Sequence, residues 1–123
     1  MATGKRESSG SIRDPLAVAV ERLVELAQPE AVILFGSRAD GSAHDDSDVD
    51  LLIIARTHDR HRLGVKLDLL WHQLRHDLPG LPPADLLVYT PRQFLASQVV
   101  GFVAYQAARQ GVVLHGRLPE PAA

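Results

Sequence analysis

The apolar run at residues 49–55 constrains the fold of this chain more than any other segment. It reads VDLLIIA and is apolar on both faces of a strand, because side chains alternate along a strand. Such a strand belongs at the centre of a sheet that is covered on both sides. Residues 31–35, 85–89 and 112–114 predict three further strands. The sequence therefore predicts an α/β (α+β) fold with a small sheet of about four strands flanked by helices.

The helices are indicated by apolar spacing and by signals at their ends. Asp14 and Pro15 predict the start of a first helix, because Asp can cap a helix and Pro tolerates the first helical position. Leucines recur at helical spacing over residues 59–78, which predicts a long helix between the second and third strands. Residues 91–109 predict one or two further helices.

Length and composition indicate one globular domain. The chain has 123 residues, of which 46% are hydrophobic. We expect a flexible segment at residues 1–13, a domain at residues 14–116 and a loose tail at residues 117–123. Neither a membrane span nor a signal peptide is recognisable, so we expect a cytoplasmic protein. The net charge of -2 argues against extensive nucleic-acid binding, and the absence of cysteine excludes disulfides and thiolate metal sites.

Three carboxylates are predicted to meet at one edge of the sheet. Asp48 and Asp50 begin the second strand on one face, and Asp85 begins the third. The long helix between these strands favours parallel pairing, which places both strand starts at the same edge. If the first strand runs antiparallel to the second, its end at Phe35 meets the same edge and the sheet is mixed.

Close carboxylates raise each other's pKa values and need a neutralising partner. Mg²⁺ typically uses one or two carboxylates plus substrate phosphates, and two ions about 3.5–4 Å apart could clamp the oxygens of a phosphoryl displacement. Gly36 lets a phosphate approach the backbone, and Ser37 adds a hydroxyl donor. Arg38 could neutralise phosphate charge. Together these residues predict a site for substrate phosphates and metal ions.

The same residues resemble a family signature. The pair Gly36-Ser37, ten intervening residues, then Asp48 and Asp50 one residue apart resemble the GS-x10-DxD signature of the DNA polymerase β-like nucleotidyltransferase superfamily. The spacing is that of its small free-standing members, the MNT domains. The segments PADLLVYTPRQF and ARQGVVLHG resemble the family's third-carboxylate strand and its closing strand, so the resemblance covers residues 14–116.

The resemblance implies a polymerase β-like nucleotidyltransferase fold and a role for each site residue. Asp48 and Asp50 would bind the catalytic metal ions, Asp85 would complete the metal site and activate or orient an acceptor hydroxyl, and Gly36 and Ser37 would hold the phosphates. The implied reaction transfers a nucleoside monophosphate to an acceptor and releases pyrophosphate. In many small members the domain is the antitoxin that transfers AMP from ATP to a tyrosine of a HEPN-domain RNase toxin. The resemblance thus implies ATP, two Mg²⁺ ions and a HEPN-domain partner.

Two other functions remain open at this stage. One is nucleotidyl transfer to a small-molecule hydroxyl, as in antibiotic-modifying relatives, and the other is a non-enzymatic module that neutralises a partner by contact. Larger nucleotidyltransferases carry an additional domain that helps to bind the acceptor, and 123 residues leave no room for one. This favours a partner protein as the acceptor.

Ordinary structural roles compete with several of these assignments. Asp45 and Asp46 are best interpreted as a solvated turn, whereas Asp50 runs into an apolar strand and needs a partner. A lone Asp at a strand start, such as Asp85, can cap the preceding turn, and Arg38 can be a surface arginine. An EF-hand loop is excluded because its glycine and closing glutamate are missing.

Other residues that could bind ligands are assigned structural roles. His72 and His76 lie four apart on one helix but lack the metalloprotease glutamate between them, so we expect a solvated helix face. Trp71 and Leu74 are expected in the core, and Tyr105 is expected to pack rather than to stack on a nucleotide.

Overall fold

In the computed structural model, the described residues 14–43 and 47–121 form helices and strands that lie within about two residues of the predicted ones. The short helix α2, in the polar segment after the first strand, is an additional element. The predicted flexible segment at residues 1–13, and Asp45 and Asp46, lie outside the described residues. In chain order the elements are α1 (Pro15–Ala27), β1 (Ala31–Phe35), α2 (Ser37–Asp40), β2 (Val49–Ile54), α3 (Arg60–Asp77), β3 (Ala84–Tyr89), α4 (Pro91–Ala96), α5 (Val103–Gln110) and β4 (Val112–Gly116).

The four strands form one mixed sheet in the order β3-β2-β1-β4. The strands β2 and β3 pair in parallel, because the 18-residue helix α3 carries the chain back to the starting edge. The strand β1 pairs antiparallel to both β2 and β4. The parallel pair and the mixed sheet predicted from the sequence are both confirmed.

Both faces of the sheet are covered, as the apolar pattern of β2 predicts. On one face, Leu51 and Ile53 belong to a buried cluster formed with helices α1 and α3. On the other face, Leu52 and Ile54 pack with Phe94 of α4 and with alanines of α5. The central strand therefore contributes to two separate cores.

The two predicted core residues of α3 are buried. Trp71 is 3% exposed and Leu74 is 4% exposed. The indole Nε1 of Trp71 donates a hydrogen bond to the carbonyl oxygen of Pro82 at 2.9 Å, so its polar atom is satisfied inside the fold.

Local signals explain where the helices begin and end. The side chain of Asp14 accepts a hydrogen bond from the backbone amide two residues later, in the first turn of α1. The side chain of Asp59 accepts one from the backbone amide three residues later, in the first turn of α3. Thr90 and Gln93 form a reciprocal capping box at the start of α4. Gln28 ends α1 in a left-handed conformation with φ of 49°.

The segment that follows β4 is described as far as residue 121 and forms no helix or strand. The amide of Arg117 donates to the carbonyl oxygen of Glu30 at 3.2 Å, and Leu118 packs against the cluster that contains Leu52. Across residues 14–43 and 47–121, the structure holds no helix with the length and hydropathy of a membrane span.

Candidate active site

Three neighbouring strands bring Phe35, Asp50 and Asp85 into one row. In the antiparallel pair Phe35 lies opposite Asp50, and in the parallel pair Asp50 lies beside Asp85. Because side chains alternate along β2, Asp50 shares the face of Leu52, which helices α4 and α5 cover. We call the edge that carries Asp48, Asp50 and Asp85 the acidic rim. The strand directions on which it depends are confirmed, while the chemical roles of the three carboxylates stay predictions.

The carboxylates of the acidic rim interact electrostatically. Partial burial raises the pKa of Asp50 above its ordinary value, and the negative charges of Asp85 and Asp48 raise it further. Asp48, just before β2, and Asp85, on β3, are both exposed. Asp50 is thus the half-buried centre of the rim, and its burial and its acidic neighbours make its ionisation costly.

Gly36 lies directly against the carboxylate of Asp50. Its backbone has φ of 74° and ψ of -154°, a conformation that is essentially restricted to glycine. A Cβ atom at this position would lie 3.2 Å from the Cγ atom of Asp50 and closer still to Oδ2. The following residue, Ser37, begins α2. The predicted phosphate-binding pair therefore adjoins the predicted metal ligand, although the two are far apart in sequence.

Arg38 is bound to the backbone next to the rim. Its Nε and Nη2 atoms donate to the carbonyl oxygen of Ser47 at 3.1 and 2.7 Å. These bonds tie α2 to the residue that precedes Asp48. The predicted contact of Arg38 with phosphate stays a prediction, and the position of this arginine adds a role that the sequence pattern did not indicate: it supports the segment that carries Asp48.

Arg38→Lys is expected to lower the rate of nucleotidyl transfer about 10- to 100-fold, because a small displacement of Asp48 misplaces the reacting groups. A lysine cannot reproduce the two parallel donors of the guanidinium group. The measurement is the initial rate of transfer at saturating nucleotide.

Arg75→Lys is the matched control. Arg75 lies on α3, and its Nε atom also donates to a backbone carbonyl oxygen, that of Leu81, at 3.1 Å. Both variants are expected to lose a similar small part of their stability, and only Arg38→Lys is expected to lose activity. Equal rates in the two variants would contradict a positioning role for Arg38.

The acidic rim fits a divalent cation as an open site. In residues 14–43 and 47–121, no three acidic or histidine side chains are gathered closely enough to hold a metal ion by themselves. Mg²⁺ typically takes one or two carboxylates and completes its shell with substrate phosphates and water. Asp50, with its raised pKa between two other carboxylates, would supply hard oxygen donors to such a site.

The histidines and the tyrosine considered as ligand residues have ordinary surroundings. His72 and His76 are exposed on α3, and the Nδ1 atom of His76 lies 3.5 Å from Oδ1 of Asp77. Tyr105 is half-buried, and the guanidinium group of Arg109 lies 4.9 Å from the centre of its ring. These positions agree with a solvated helix face for the histidines and with packing for the tyrosine.

One of the cavities that border the sheet adjoins the acidic rim. A cavity of about 590 Å³ lies between α3 and β3, and none of the six predicted site residues is among those that line it. The cavity that adjoins the rim, of about 190 Å³, is lined by Phe35, Gly36, Asp40, Gln106 and Gln110. Asp40, Gln106 and Gln110 were not predicted as site residues, and the two glutamines reach this edge only because α5 docks beside it.

Comparison with known proteins supports the predicted family. Residues 19–117 match the family model described as "Polymerase beta, Nucleotidyltransferase". A crystal structure of a toxin-antitoxin with AMP-PNP has 23% sequence identity and a TM-score of 0.55, covering 82% of this chain and 73% of that chain. A mutant of the toxin-antitoxin MntA-HpeT has 21% identity and a TM-score of 0.54, with the same coverage.

These two likenesses concern the fold, which in this chain is a four-stranded mixed sheet flanked by helices. No curated protein matches this sequence. The family model spans most of the chain and includes every residue of the acidic rim as well as Gly36 and Ser37. The chain therefore belongs to the polymerase β nucleotidyltransferase family.

Proposed function

We propose that this chain is a cytoplasmic, Mg²⁺-dependent adenylyltransferase that transfers AMP from ATP to a tyrosine hydroxyl of a HEPN-domain toxin, and so acts as an antitoxin. The observation that carries the proposal is the contact between Gly36 and the carboxylate of Asp50, at the centre of the acidic rim. This contact joins a backbone suited to phosphates with carboxylates suited to a divalent cation.

The residues of the site divide the work of the transfer. Gly36 and Ser37 would hold the triphosphate, while Asp48, Asp50 and Asp85 would hold the cations. Two bound Mg²⁺ ions would neutralise the charge that develops on the attacking and leaving oxygens. Asp85 is exposed, so it can orient the acceptor hydroxyl and take its proton.

The bonds of the proposed reaction balance. The acceptor oxygen forms a bond to the α-phosphorus of ATP, and the bond from that phosphorus to the β-phosphate oxygen breaks. Pyrophosphate leaves with the electron pair of the broken bond, and the proton of the acceptor hydroxyl passes to Asp85 and then to solvent. Burial, and then the charges of Asp85 and Asp48, raise the pKa of Asp50, which supports a cation at the rim because a carboxylate that is costly to ionise gains most from a bound cation.

Two observations support a protein acceptor and an adenine nucleotide. The similar structures are a toxin-antitoxin with AMP-PNP and a toxin-antitoxin MntA-HpeT mutant. In this chain, residues 99–103, which connect α4 to the first residue of α5, present exposed apolar side chains, with Val100 77% exposed and Phe102 54% exposed. Contiguous exposed apolar residues commonly mark a surface that binds another protein.

Transfer can be tested with ATP labelled at either end of its phosphate chain. The full chain is incubated with Mg²⁺ and the product of the adjacent reading frame, once with ATP labelled at the α-phosphate and once with ATP labelled at the γ-phosphate. We expect the α-label on a tyrosine of the partner and no γ-label. Chelation of Mg²⁺, or Asp48→Ala, is expected to abolish labelling.

The other results identify the competing functions. Label on the hydroxyl of a small molecule, with none on protein, would indicate an antibiotic-type transferase. A tight complex without label, unaffected by Asp48→Ala and Asp50→Ala, would indicate a binding module that acts by contact. A γ-label on the partner would indicate phosphoryl rather than nucleotidyl transfer.

A further inference from the structure

We propose that the cavity lined by Phe35, Gly36, Asp40, Gln106 and Gln110, called here the α5 cavity, binds the nucleoside part of the substrate. In this assignment Gln106 and Gln110 contact the base, and Asp40 contacts the ribose hydroxyls. The inference rests on the proposed nucleotidyl transfer and extends it to the residues that select the nucleotide.

The position of the α5 cavity suits one end of a nucleotide. Two of its lining residues also belong to the surroundings of Asp50: Phe35 lies opposite it in the sheet, and Gly36 lies against its carboxylate. A ligand in the cavity therefore reaches the acidic rim. Its volume of about 190 Å³ is below the roughly 300 Å³ at which pockets for whole small-molecule ligands begin. The cavity thus takes part of a nucleotide and leaves the phosphates outside it.

The charge of the α5 cavity suits hydroxyl groups better than phosphates. Among the described residues that line it there is no lysine or arginine, and Asp40 is its one ionisable group. Hydrogen bonds from the hydroxyl and the amide of Ser42 hold the pKa of Asp40 below its ordinary value, so its carboxylate stays ionised. Both bonds end on Oδ1, at 2.6 and 2.9 Å. Its Oδ2 atom can accept hydrogen bonds from the ribose, as acidic residues do in dinucleotide sites.

The two glutamines of the α5 cavity differ from the other glutamines of the chain. Of the six glutamines, Gln28, Gln73, Gln93 and Gln98 each hydrogen-bond through the side chain to another residue of the protein. Within residues 14–43 and 47–121, the side chains of Gln106 and Gln110 form no hydrogen bond to another residue of the protein.

Gln106 and Gln110 are four residues apart, so they project from the same face of α5. Each carboxamide offers both a donor and an acceptor, the combination that pairs with N6 and N7 of adenine. Phe35 is half-buried and adds an aromatic wall beside them. The α5 cavity therefore combines apolar contact with the uncharged hydrogen-bonding groups that a base requires.

Calorimetric titration of the full chain with MgATP and, separately, with Mg²⁺ and inorganic tripolyphosphate tests the inference. Gln106→Met and Gln110→Met keep the side-chain length and remove the hydrogen bonds. Each is expected to weaken ATP binding about tenfold, the typical value of one hydrogen bond, and to leave tripolyphosphate binding unchanged. Ser37→Ala is expected to weaken the binding of both ATP and tripolyphosphate. Gln73→Met, on the exposed face of α3, is the matched control and is expected to change neither the affinity for ATP nor that for tripolyphosphate.

A second comparison tests the ribose contact. The wild-type chain is expected to bind ATP more tightly than 2′,3′-dideoxyATP, and Asp40→Ala is expected to remove most of that preference. Variants of the α5 cavity that bind ATP as tightly as the wild type would overturn the nucleoside assignment and leave the proposed transfer intact. The same holds for variants whose affinities for ATP and for tripolyphosphate fall equally. A wild-type chain that binds neither ligand would overturn the proposed transfer itself, and the α5 cavity assignment with it.

Discussion

Asp50→Asn is expected to reduce nucleotidyl transfer at least about 100-fold, since it removes a preorganised charge at the reacting centre. Asp50 lies between Phe35 and Asp85 in the sheet and against Gly36, so the substitution removes the central carboxylate of the acidic rim. The measurement is the rate of α-label transfer with Mg²⁺ and ATP. Asp68→Asn, an exposed aspartate of α3, is the matched control and is expected to keep full activity.

The same substitution is expected to stabilise the metal-free fold. The pKa of Asp50 is raised above its ordinary value of 3.8, first by burial and then by the charges of Asp85 and Asp48. A raised pKa means that the folded state binds this proton more tightly than the unfolded state. Asp50 therefore lowers the stability of the fold as pH rises from 3.8 through its raised pKa, and the loss persists above that pKa.

Thermal unfolding measured against pH checks this expectation. The unfolding temperature of Asp50→Asn is expected to exceed that of the wild type increasingly as pH rises from 3.8 through the raised pKa of Asp50. This difference is expected to shrink when Mg²⁺ is added, because the cation stabilises only the wild-type rim. An active Asp50→Asn variant would contradict the assigned site. A variant that is less stable than the wild type at neutral pH without metal would contradict the electrostatic account.

Gly36→Ala is expected to impair both folding and activity. The backbone at Gly36 has φ of 74° and ψ of -154°, which costs a residue with a Cβ atom about 1–3 kcal/mol. The new methyl group would also collide with the Asp50 carboxylate, whose Cγ lies 3.2 Å from its position. Displacing that carboxylate is expected to reduce transfer about 100-fold. Denaturant unfolding and the transfer rate measure the two effects.

Gly41→Ala separates the backbone cost from the collision. Gly41 also has a positive φ, of 84°, but a Cβ atom there meets no atom within 4 Å. The substitution is expected to cost about 1–2 kcal/mol through its left-handed backbone and to leave the transfer rate near that of the wild type. Loss of activity in Gly41→Ala equal to that in Gly36→Ala would show that loop strain, rather than contact with Asp50, explains the effect.

Much of the fold could be predicted from local patterns. The two-sided apolar run of β2 required cover on both faces, and the structure provides it with α1 and α3 on one face and with α4 and α5 on the other. The length of α3 allowed β2 and β3 to pair in parallel. The antiparallel pairing of β1 could only be stated as a condition, because the link between β1 and β2 contains a helix that the polar segment did not reveal.

The candidate site could be predicted for the residues that form a short motif along the chain. It could not be predicted for residues that come together only when helices and strands pack against each other. Asp48, Asp50 and the pair Gly36-Ser37 follow a recognisable spacing, and the chain belongs to the family that this spacing indicates. The bonds of Arg38 to the backbone before β2 carry no such signal, since an arginine nine residues from its acceptor fits many conformations.

The sequence by itself determined the helices and strands other than α2, and it identified the acidic residues, because apolar periodicity and a fixed motif spacing are local properties. It predicted the mixed sheet only on the condition that β1 runs antiparallel to β2. Only the tertiary structure decided which groups touch. The register of β1, β2 and β3 places Phe35, Asp50 and Asp85 in one row, and the docking of α5 brings Gln106 and Gln110 beside Gly36. Such contacts depend on strand register and helix packing, which no spacing along the chain encodes.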